Sequence, residues 1–207
     1  FVFSTNLLTT KIIMTDSYQS SHYDHPIPDV SKPFDLRCPD NTDLWRVPPS
    51  TDRGNTPQIY RTIPISNFKS AKVTVSGRWI KLYDQGGLCM IIDIPGAQQN
   101  KWVKTGIEML NGKPRVSVVG TDTWSDWSLH PVVAADKVSA TIEMVVEHDH
   151  LWVYLLGDDG ERHPMREITW WNALPKDAKC KVGVSAARPA SDGGELIVHY
   201  EDLIISA

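Results

Sequence analysis

From residue 58 onward, hydrophobic and polar residues alternate along short runs that are rich in Val, Ile, Tyr and Trp. Turn-forming residues interrupt these runs roughly every 8 to 12 positions, which is typical of an all-β sandwich or barrel. No segment shows the 3.6-residue period of an amphipathic helix. The pattern predicts little helix and about a dozen strands, near residues 58–65, 70–77, 78–84, 87–94, 101–110, 114–120, 125–129, 139–147, 150–156, 165–171, 180–187 and 194–205.

The clearest turn is Asn111-Gly112, which separates two alternating runs. A type I′ turn requires positive φ at both central residues, and Asn-Gly is the dipeptide that meets this requirement most readily. The register that follows places Glu108 opposite Arg115. One face of this hairpin is then apolar and predicted to be core, namely Val103, Ile107, Met109, Val116 and Val118. The other face carries Trp102, Lys104, Glu108, Arg115 and Ser117.

A second hairpin is predicted in TIEMVVEHDHLWVYLL, with His148 and Asp149 as the two turn residues. This register gives an apolar face composed of Ile142, Met144, Val146, Leu151, Val153 and Leu155. The opposite face then holds Glu143, Val145, Glu147, His150, Trp152 and Tyr154. A sheet with one face sealed in a core and the other bearing aromatic rings and carboxylates is typical of a binding surface.

Residues 14 to 57 are rich in Pro, Ser, Asp and Asn and have no sustained period, which predicts extended chain and loops. We expect an extended N-terminal arm over residues 1–40 and a β-sandwich domain over residues 41–207. Met14 is a candidate start, which would make residues 1–13 an upstream addition. The TDLW stretch that ends at Trp45 is a lone aromatic anchor that could dock on the domain.

Composition indicates a globular protein: 41% of the 207 residues are hydrophobic, 22% are charged and eight are Trp. The net charge of −4 and the absence of a Lys/Arg-rich run argue against nucleic acid as a partner. No apolar run reaches the roughly 18 residues of a membrane span, so no membrane association is expected. The three cysteines, Cys38, Cys89 and Cys180, fit neither a disulfide framework nor a metal clip, and they favour a reducing, cytoplasmic location.

The segment GTDTWSDWSLHP places two tryptophans three residues apart among aspartates and hydroxyl residues. Such a mixture suits neither a fully buried strand nor a plain solvent loop, and it predicts a half-buried rim. Because neighbouring residues of a strand point to opposite faces, we expect Trp127 to point into the core and Asp126 to face a cleft.

Two stretches, YDQGGLCMIID and NKWVKTGIEMLNGKPRVSVVGTDTWSDWS, resemble the signature block of a known family. It is a family of concanavalin A-like domains of unknown function found in fungi and bacteria, which includes the yeast regulation-of-enolase protein. The resemblance spans about residues 40 to 205. It implies a jelly-roll sandwich of two antiparallel sheets, in agreement with the strand pattern, but it implies no particular reaction, since one fold hosts many functions.

The spacing of the carboxylates in the sequence gives little support for glycoside hydrolysis. Glycosidases need two carboxyl groups about 5–5.5 Å or roughly 6.5–9.5 Å apart. Glu143 and Glu147 lie four residues apart on one strand, roughly 13 Å between α-carbons. Glu108 is expected to form an ion pair with Arg115, which would lower the pKa of Glu108 and make it a poor general acid.

We therefore expect a non-catalytic regulatory or interaction protein in carbohydrate metabolism that binds through a polar-aromatic concave face. A carbohydrate-binding module or weak glycoside hydrolase is the alternative, and the same tryptophans could instead be packing residues. A glycolytic protein or a carbohydrate is the expected partner, with no cofactor and no metal. The candidate binding residues are Trp45, Tyr83, Asp84, Gln85, Trp102, Lys104, Glu108, Arg115, Asp126, Glu143 and Trp152.

Overall fold

The computed structural model describes residues 17–131 and 139–207, so the expectation for residues 1–13 concerns chain outside the described part. Two short 3-10 turns, Ile65–Asn67 and Trp171–Ala173, are the helical elements of that part. Its strands are β1 (Gln19–Ser21), β2 (Phe34–Cys38), β3 (Leu44–Val47), β4 (Thr51–Gly54), β5 (Gln58–Pro64), β6 (Ser70–Gly77), β7 (Gln85–Asp93), β8 (Lys101–Leu110), β9 (Lys113–Thr121), β10 (Ser125–Pro131), β11 (Ser139–Glu147), β12 (His150–Leu156), β13 (Arg162–Ile168), β14 (Lys179–Ala187) and β15 (Leu196–Ser206).

Two antiparallel sheets contain all of these strands except β3 and β4. One sheet has seven strands in the order β1-β5-β14-β7-β8-β9-β10, and the other has six in the order β13-β12-β11-β6-β15-β2. The chain passes repeatedly from one sheet to the other, as from β5 to β6 and from β10 to β11. The predicted all-β, concanavalin A-like jelly-roll sandwich is therefore confirmed.

The core lies between the two sheets and is built from alternate residues of each strand. The seven-stranded sheet contributes fully buried side chains such as Leu88, Met90, Ile92, Val103 and Ile107. The six-stranded sheet faces them with Val73, Val75, Ile142, Met144 and Val153. Complete burial of an aliphatic side chain of this size stabilises the fold by about 1.5–3 kcal/mol.

Both hairpin registers predicted from the sequence are confirmed. Glu108 pairs with Arg115, and Glu147 pairs with His150 across the His148-Asp149 turn. Asn111 and Gly112 have φ values of 52° and 73°, as a type I′ turn requires. The apolar face of each hairpin lies in the core.

The strand predicted over residues 78–84 is wrong, because this segment is a turn. The Asp84 carboxylate accepts hydrogen bonds from the backbone N–H groups of Ile80 and Lys81, both at 2.9 Å. These amides are thus satisfied locally, and they are not offered to a neighbouring strand.

The expectation of extended chain and loops over residues 14–57 is only partly right, since the described part of that region contains β1 to β4, and β2 is an edge strand of the six-stranded sheet. Strand β2 pairs with β15, and its alternate residues Phe34, Leu36 and Cys38 are buried. The alternation covers only five residues and lies between Pro33 and Pro39, so it was too short to stand out in the sequence.

Strands β3 and β4 form a two-stranded ribbon that belongs to neither sheet. The ribbon lies on the outer face of the seven-stranded sheet, where Leu44 packs with Cys89 and Trp102. The Arg46 guanidinium carbon is 4.2 Å from the centroid of the Trp102 ring, and Arg46 Nη1 donates to the carbonyl of Asn100 at 2.9 Å. The ribbon therefore seals one part of the outer face, and the part around Glu108 stays open.

Candidate functional site

A cleft opens on the outer face of the seven-stranded sheet, beside the ribbon. It has a volume of about 200 Å³ and is lined by Asp43, Trp45, Tyr83, Gln85, Lys104, Glu108 and Trp127. All of these except Asp43 and Trp127 were predicted as binding residues. The sheet supplies the floor, while the ribbon, the 78–84 turn and the edge strand β10 supply the walls.

Three aromatic rings form the walls of the cleft, with Trp127 in the middle. The Trp45 and Trp127 ring centroids are 6.2 Å apart and the rings are nearly perpendicular. Tyr83 meets Trp127 in the same edge-to-face manner, with centroids 6.0 Å apart. Such pairs contribute about 0.5–1.5 kcal/mol beyond burial, so the rings fix each other while keeping part of their faces open to the cleft.

Tyr83 has a left-handed backbone, with φ of 64°, and its side chain is 37% exposed. This conformation is uncommon for a bulky residue and needs support from its surroundings. The support is Asp84, which is fully buried and bound by Arg188 through two hydrogen bonds of 2.7 Å. The buried ion pair holds the turn, and the turn directs Tyr83 toward the cleft.

The floor of the cleft is polar and is centred on Lys104. Its ammonium group donates to Gln85 Oε1 at 2.6 Å and lies 3.7 Å from Asp43 Oδ1. It also lies 5.9 Å from the centroid of the Trp45 ring. Lys104 is thus a buried cation that a carboxylate, an amide and an indole hold in one position.

Glu108 adds a buried carboxyl group, with only 6% of the residue exposed. Its Oε2 accepts a hydrogen bond of 2.8 Å from Ser117, whose Oγ in turn accepts one of 3.1 Å from Trp127 Nε1. Burial raises the pKa of Glu108 above its ordinary value of 4.5, and Lys104 and the Ser117 hydroxyl offset part of that rise.

The sequence predicted that an ion pair with Arg115 would lower the pKa of Glu108, and this prediction is wrong. The two residues are opposite one another in the ladder, as expected. The Glu108 carboxyl, however, bonds to Ser117, two residues along β9 from Arg115. The pKa of Glu108 is raised by burial, whereas the predicted ion pair would have lowered it.

Small residues form a narrow recess beneath the cleft. Gly87 and Gly106 are directly opposed on β7 and β8, and Ser117 and Ser185 extend the same row across β9 and β14. A Cβ atom on Gly87 would lie 2.0 Å from the carbonyl oxygen of Thr105 on β8. The close approach of these two strands therefore requires glycine here.

The orientation predicted for Asp126 and Trp127 is reversed in the structure. Trp127 is opposite Val119, on the outer face that bears the cleft. Asp126 points toward the other sheet, where Arg166 Nη1 donates to its carbonyl oxygen at 2.7 Å and to its carboxylate at 3.2 Å. The alternation was correct, but β10 is an edge strand, so its inner side is open enough to hold a charged side chain.

Two other predicted residues, Glu143 and Trp152, lie far from the cleft. They belong to β11 and β12 of the six-stranded sheet and share its outer face, where Arg162 Nε lies 2.8 Å from the Glu143 carboxylate in an ion pair. The sequence predicted one polar-aromatic face for both hairpins. The hairpins lie in different sheets, and the outer faces of a sandwich point in opposite directions.

Trp102 and Asp84 are also unavailable to a ligand, since Trp102 is 1% exposed beneath Arg46 and Asp84 is fully buried against Arg188. Arg115 is half-buried at the margin of the outer face and does not line the cleft. These three side chains shape the surroundings of the cleft.

A model of the family of proteins of unknown function DUF1349 matches residues 27–206, which is most of the chain. The chain belongs to this family. The resemblance predicted from the sequence is thereby confirmed. The matched segment includes every residue that lines the cleft.

Among relatives of this DUF1349 protein, an uncharacterised protein of Emericella nidulans is 44% identical over 173 residues, 83% of this chain and 85% of that protein. The regulation of enolase protein 1 of Saccharomyces cerevisiae is 34% identical over 95 residues, 45% of this chain and 44% of that protein.

Solved structures share the fold of the DUF1349 chain. A functionally unknown protein from Saccharomyces cerevisiae has a TM-score of 0.73 at 23% identity, with 92% of this chain and 96% of that chain covered. An alginate lyase from Pseudomonas aeruginosa has a TM-score of 0.54 at 12% identity, covering 83% of this chain and 81% of that chain. At these sequence identities, the structural similarity establishes a shared fold and does not establish a shared function.

Asp43, which lines the cleft of the DUF1349 chain, and Ser117, which bonds to Glu108 behind it, were not among the predicted binding residues. Asp43 belongs to the TDLW stretch, whose aromatic residue was predicted to dock, so its neighbour offered a weak signal. Ser117 was placed on the correct face, but nothing in the sequence marked it as the link between Trp127 and Glu108.

The described part of the DUF1349 chain gives little support for metal binding, membrane insertion or catalysis by cysteine. No group of three or more His, Cys, Asp or Glu side chains in residues 17–131 and 139–207 is placed to hold a metal ion. Within those residues, no helix is long and apolar enough to cross a membrane. Burial raises the pKa of Cys38 to about 11 and those of Cys89 and Cys180 to about 12, so none is an activated nucleophile.

Proposed function

We propose that this DUF1349 protein acts by binding, and that the cleft on the outer face of the seven-stranded sheet takes a single neutral sugar ring. The observation that carries the proposal is the grouping of three partly open aromatic rings around a buried polar floor. The protein would serve as a regulatory protein of carbohydrate metabolism in the cytoplasm.

The chemistry of the cleft suits a polyhydroxyl ring. The faces of Trp and Tyr rings carry partial negative charge, so they attract the positively polarised C–H groups of a sugar ring. Lys104 and Gln85 can donate to hydroxyl oxygens, and Asp43 and Glu108 can accept from hydroxyl groups. A few placed polar groups inside an otherwise aromatic pocket are the usual basis of small-molecule specificity.

The size of the cleft favours a small ligand. Its volume of about 200 Å³ lies below the range of about 300–1,000 Å³ that drug-sized molecules occupy. One ring can therefore fill it, and further units of a longer chain would extend beyond it.

Glycoside hydrolysis is the second candidate, because Glu108 and Asp43 both line the cleft and burial raises the pKa of Glu108, as a general acid needs. The Asp43 carboxylate lies 3.7 Å from the Lys104 ammonium group, so a base at this position would have to act with its charge already paired. Release of reducing sugar that disappears in Glu108→Gln would favour hydrolysis, and binding without release would favour the first proposal.

A link to glycolysis rests on the relative in Saccharomyces cerevisiae, whose name describes regulation of enolase. We include in the proposal that a glycolytic protein binds this chain. Calorimetry with purified enolase, with and without sugar, tests this part, and absence of heat at micromolar concentrations in both titrations would overturn it.

Tryptophan fluorescence during titration with monosaccharides at millimolar concentration tests the cleft. We expect saturable quenching in the wild type and at least a tenfold loss of affinity in Trp127→Ala, because truncation of a central aromatic residue typically costs about 2 kcal/mol or more of binding energy. Trp152→Ala on the opposite sheet is the matched control and should bind as the wild type does. If no monosaccharide quenches the fluorescence, or if both variants bind equally, the proposal fails.

A further inference from the structure

A second groove lies across the edge strand β10 from the cleft. We call it the edge groove; it has a volume of about 410 Å³ and is lined by Gly120, Asp122, Trp124, Asp126, Arg166, Glu167, Ile168, Thr169 and Trp170. It is formed where β9 and β10 of one sheet approach β13 of the other. Strand β10 thus separates the edge groove from the cleft, since Trp127 lines the cleft and Asp126 lines the edge groove.

Trp124 is the most exposed aromatic side chain described, at 58%, and it forms one side of the edge groove. Half-buried Trp170 lines the groove as well, and Lys101 lies over its ring at 5.2 Å from the centroid. An indole that its own chain leaves open has apolar area to offer to a ligand. Trp124 is therefore available for stacking, whereas Trp170 already has a partner.

Each carboxylate in the edge groove already has a basic side chain beside it. Asp122 lies 2.5 Å from Lys101, and the Asp126 carboxylate lies 3.2 Å from Arg166. Glu167 lies 2.6 Å from His150. A cationic ligand would have to compete with these partners for each carboxylate, whereas a neutral hydroxyl group can bond to a pair without separating its charges.

Arg166 gives the groove a fixed donor near its centre. Its Nη1 bonds to Asp126 and its Nη2 donates to Ser128 Oγ at 3.0 Å, so the guanidinium joins β13 to β10. A Cβ atom added at Gly120 would be in ordinary contact with Arg166 Nη1, at 3.5 Å, so glycine leaves that small space beside the guanidinium empty. A ring stacked on Trp124 can then bond to polar groups whose positions are set by these hydrogen bonds.

Trp124 lies in the bend just before β10 and Trp127 lies within β10, three residues further on, so their α-carbons are at most about 10 Å apart. Trp127 belongs to the cleft and Trp124 to the edge groove, on the two sides of β10. We infer that the edge groove binds the continuing units of an oligosaccharide whose terminal ring occupies the cleft. This inference rests on the proposed function and names its ligand class: a neutral oligosaccharide.

The test measures affinity against chain length. Isothermal titration calorimetry would use cello-oligosaccharides and malto-oligosaccharides of one to six units with the wild type, Trp124→Ala, Trp127→Ala and Trp152→Ala. We expect the wild type to bind longer chains of one series at least tenfold more tightly than the single unit. Trp124→Ala should lose that gain and keep the affinity for the single unit, and Trp152→Ala should resemble the wild type.

The outcomes separate the inference from the proposed function. If the single unit binds in a Trp127-dependent manner but longer chains bind no more tightly, or bind Trp124→Ala equally well, the inference is wrong and the proposed function stands. If no sugar of any length binds, both fail. Because Trp124 is largely exposed, its replacement should leave the melting temperature nearly unchanged, which thermal unfolding of the same samples verifies.

Discussion

Among single residues, Glu108 has the clearest consequence for pH dependence. Its pKa is higher in the folded protein than in the unfolded chain, so its ionisation opposes folding as the pH rises from about 4.5 through the raised value. Glu108→Gln keeps an acceptor for Ser117 and removes the ionisation. We expect the variant to match the wild type in free energy of unfolding at low pH and to exceed it at neutral pH.

Urea unfolding of both proteins near pH 4 and near pH 7 measures this difference. Glu195→Gln is the surface control, because Glu195 is an exposed partner of Arg37, and it should change the free energy of unfolding by no more than about 1 kcal/mol. A Glu108→Gln effect of the same size at both pH values would show that ionisation of Glu108 is not involved.

Residue by residue, the sequence predicted five of the cleft side chains, because strand alternation places Lys104 and Glu108 on one face and a turn motif marks Tyr83 and Gln85. It could not predict the pKa of Glu108. That pKa depends on which neighbour the Glu108 carboxyl group contacts. Side-chain packing decides between Ser117 and Arg115, and the register of the strands does not determine it.

Among the structural elements, the 78–84 turn depends on one buried ion pair. Arg188→Met would leave the Asp84 carboxylate buried without its partner, and removal of one member of such a pair typically costs about 3–5 kcal/mol. Lys81→Met, which removes the surface ion pair with Asp192, is the matched control and should cost no more than about 1 kcal/mol. Chemical denaturation compares the two, and equal losses would contradict a special role for Asp84.

Elements with a strong local signal were predicted well. The Asn111-Gly112 turn requires positive φ at adjacent positions, and few sequences other than Asn-Gly supply it, so the hairpin and its register follow. The 78–84 turn has no such signature. Its runs of Trp, Ile and Leu resemble a strand, and the Arg188 side chain that stabilises the turn is 104 residues away in the chain.

For the molecule as a whole, the three thiols report on global unfolding. Cys38, Cys89 and Cys180 are all buried, with pKa values raised to about 11 or 12. Since free cysteine has a pKa near 8.5, we expect the native protein to react with a thiol reagent at least about 100-fold more slowly than the denatured protein. Spectroscopic titration with Ellman's reagent checks this, and rapid modification of one thiol in the native state would reveal a local opening.

The arrangement of the whole sandwich is the part that the sequence predicted least completely. Both hairpins carry an apolar face and a polar-aromatic face, and nothing in either pattern states which sheet it joins. Glu143 and Trp152 were therefore placed beside Glu108, although a complete core separates them. The fold class follows from local alternation, but the composition of a shared surface depends on contacts between distant strands.

The ribbon of β3 and β4 pairs with neither sheet, yet it brings Asp43 and Trp45 to the cleft. It is attached by Leu44, which packs on Cys89 and Trp102, and by Arg46, which stacks over Trp102 and donates to Asn100, and the hydrogen-bonded ladders of the sandwich continue without it. Substitutions at the exposed positions of this short hairpin should therefore cost little in folding, whereas Leu44 and Arg46, each 4% exposed, anchor it. Exchange of the ribbon between homologues is therefore a direct way to change the ligand that the cleft binds while the sandwich stays the same.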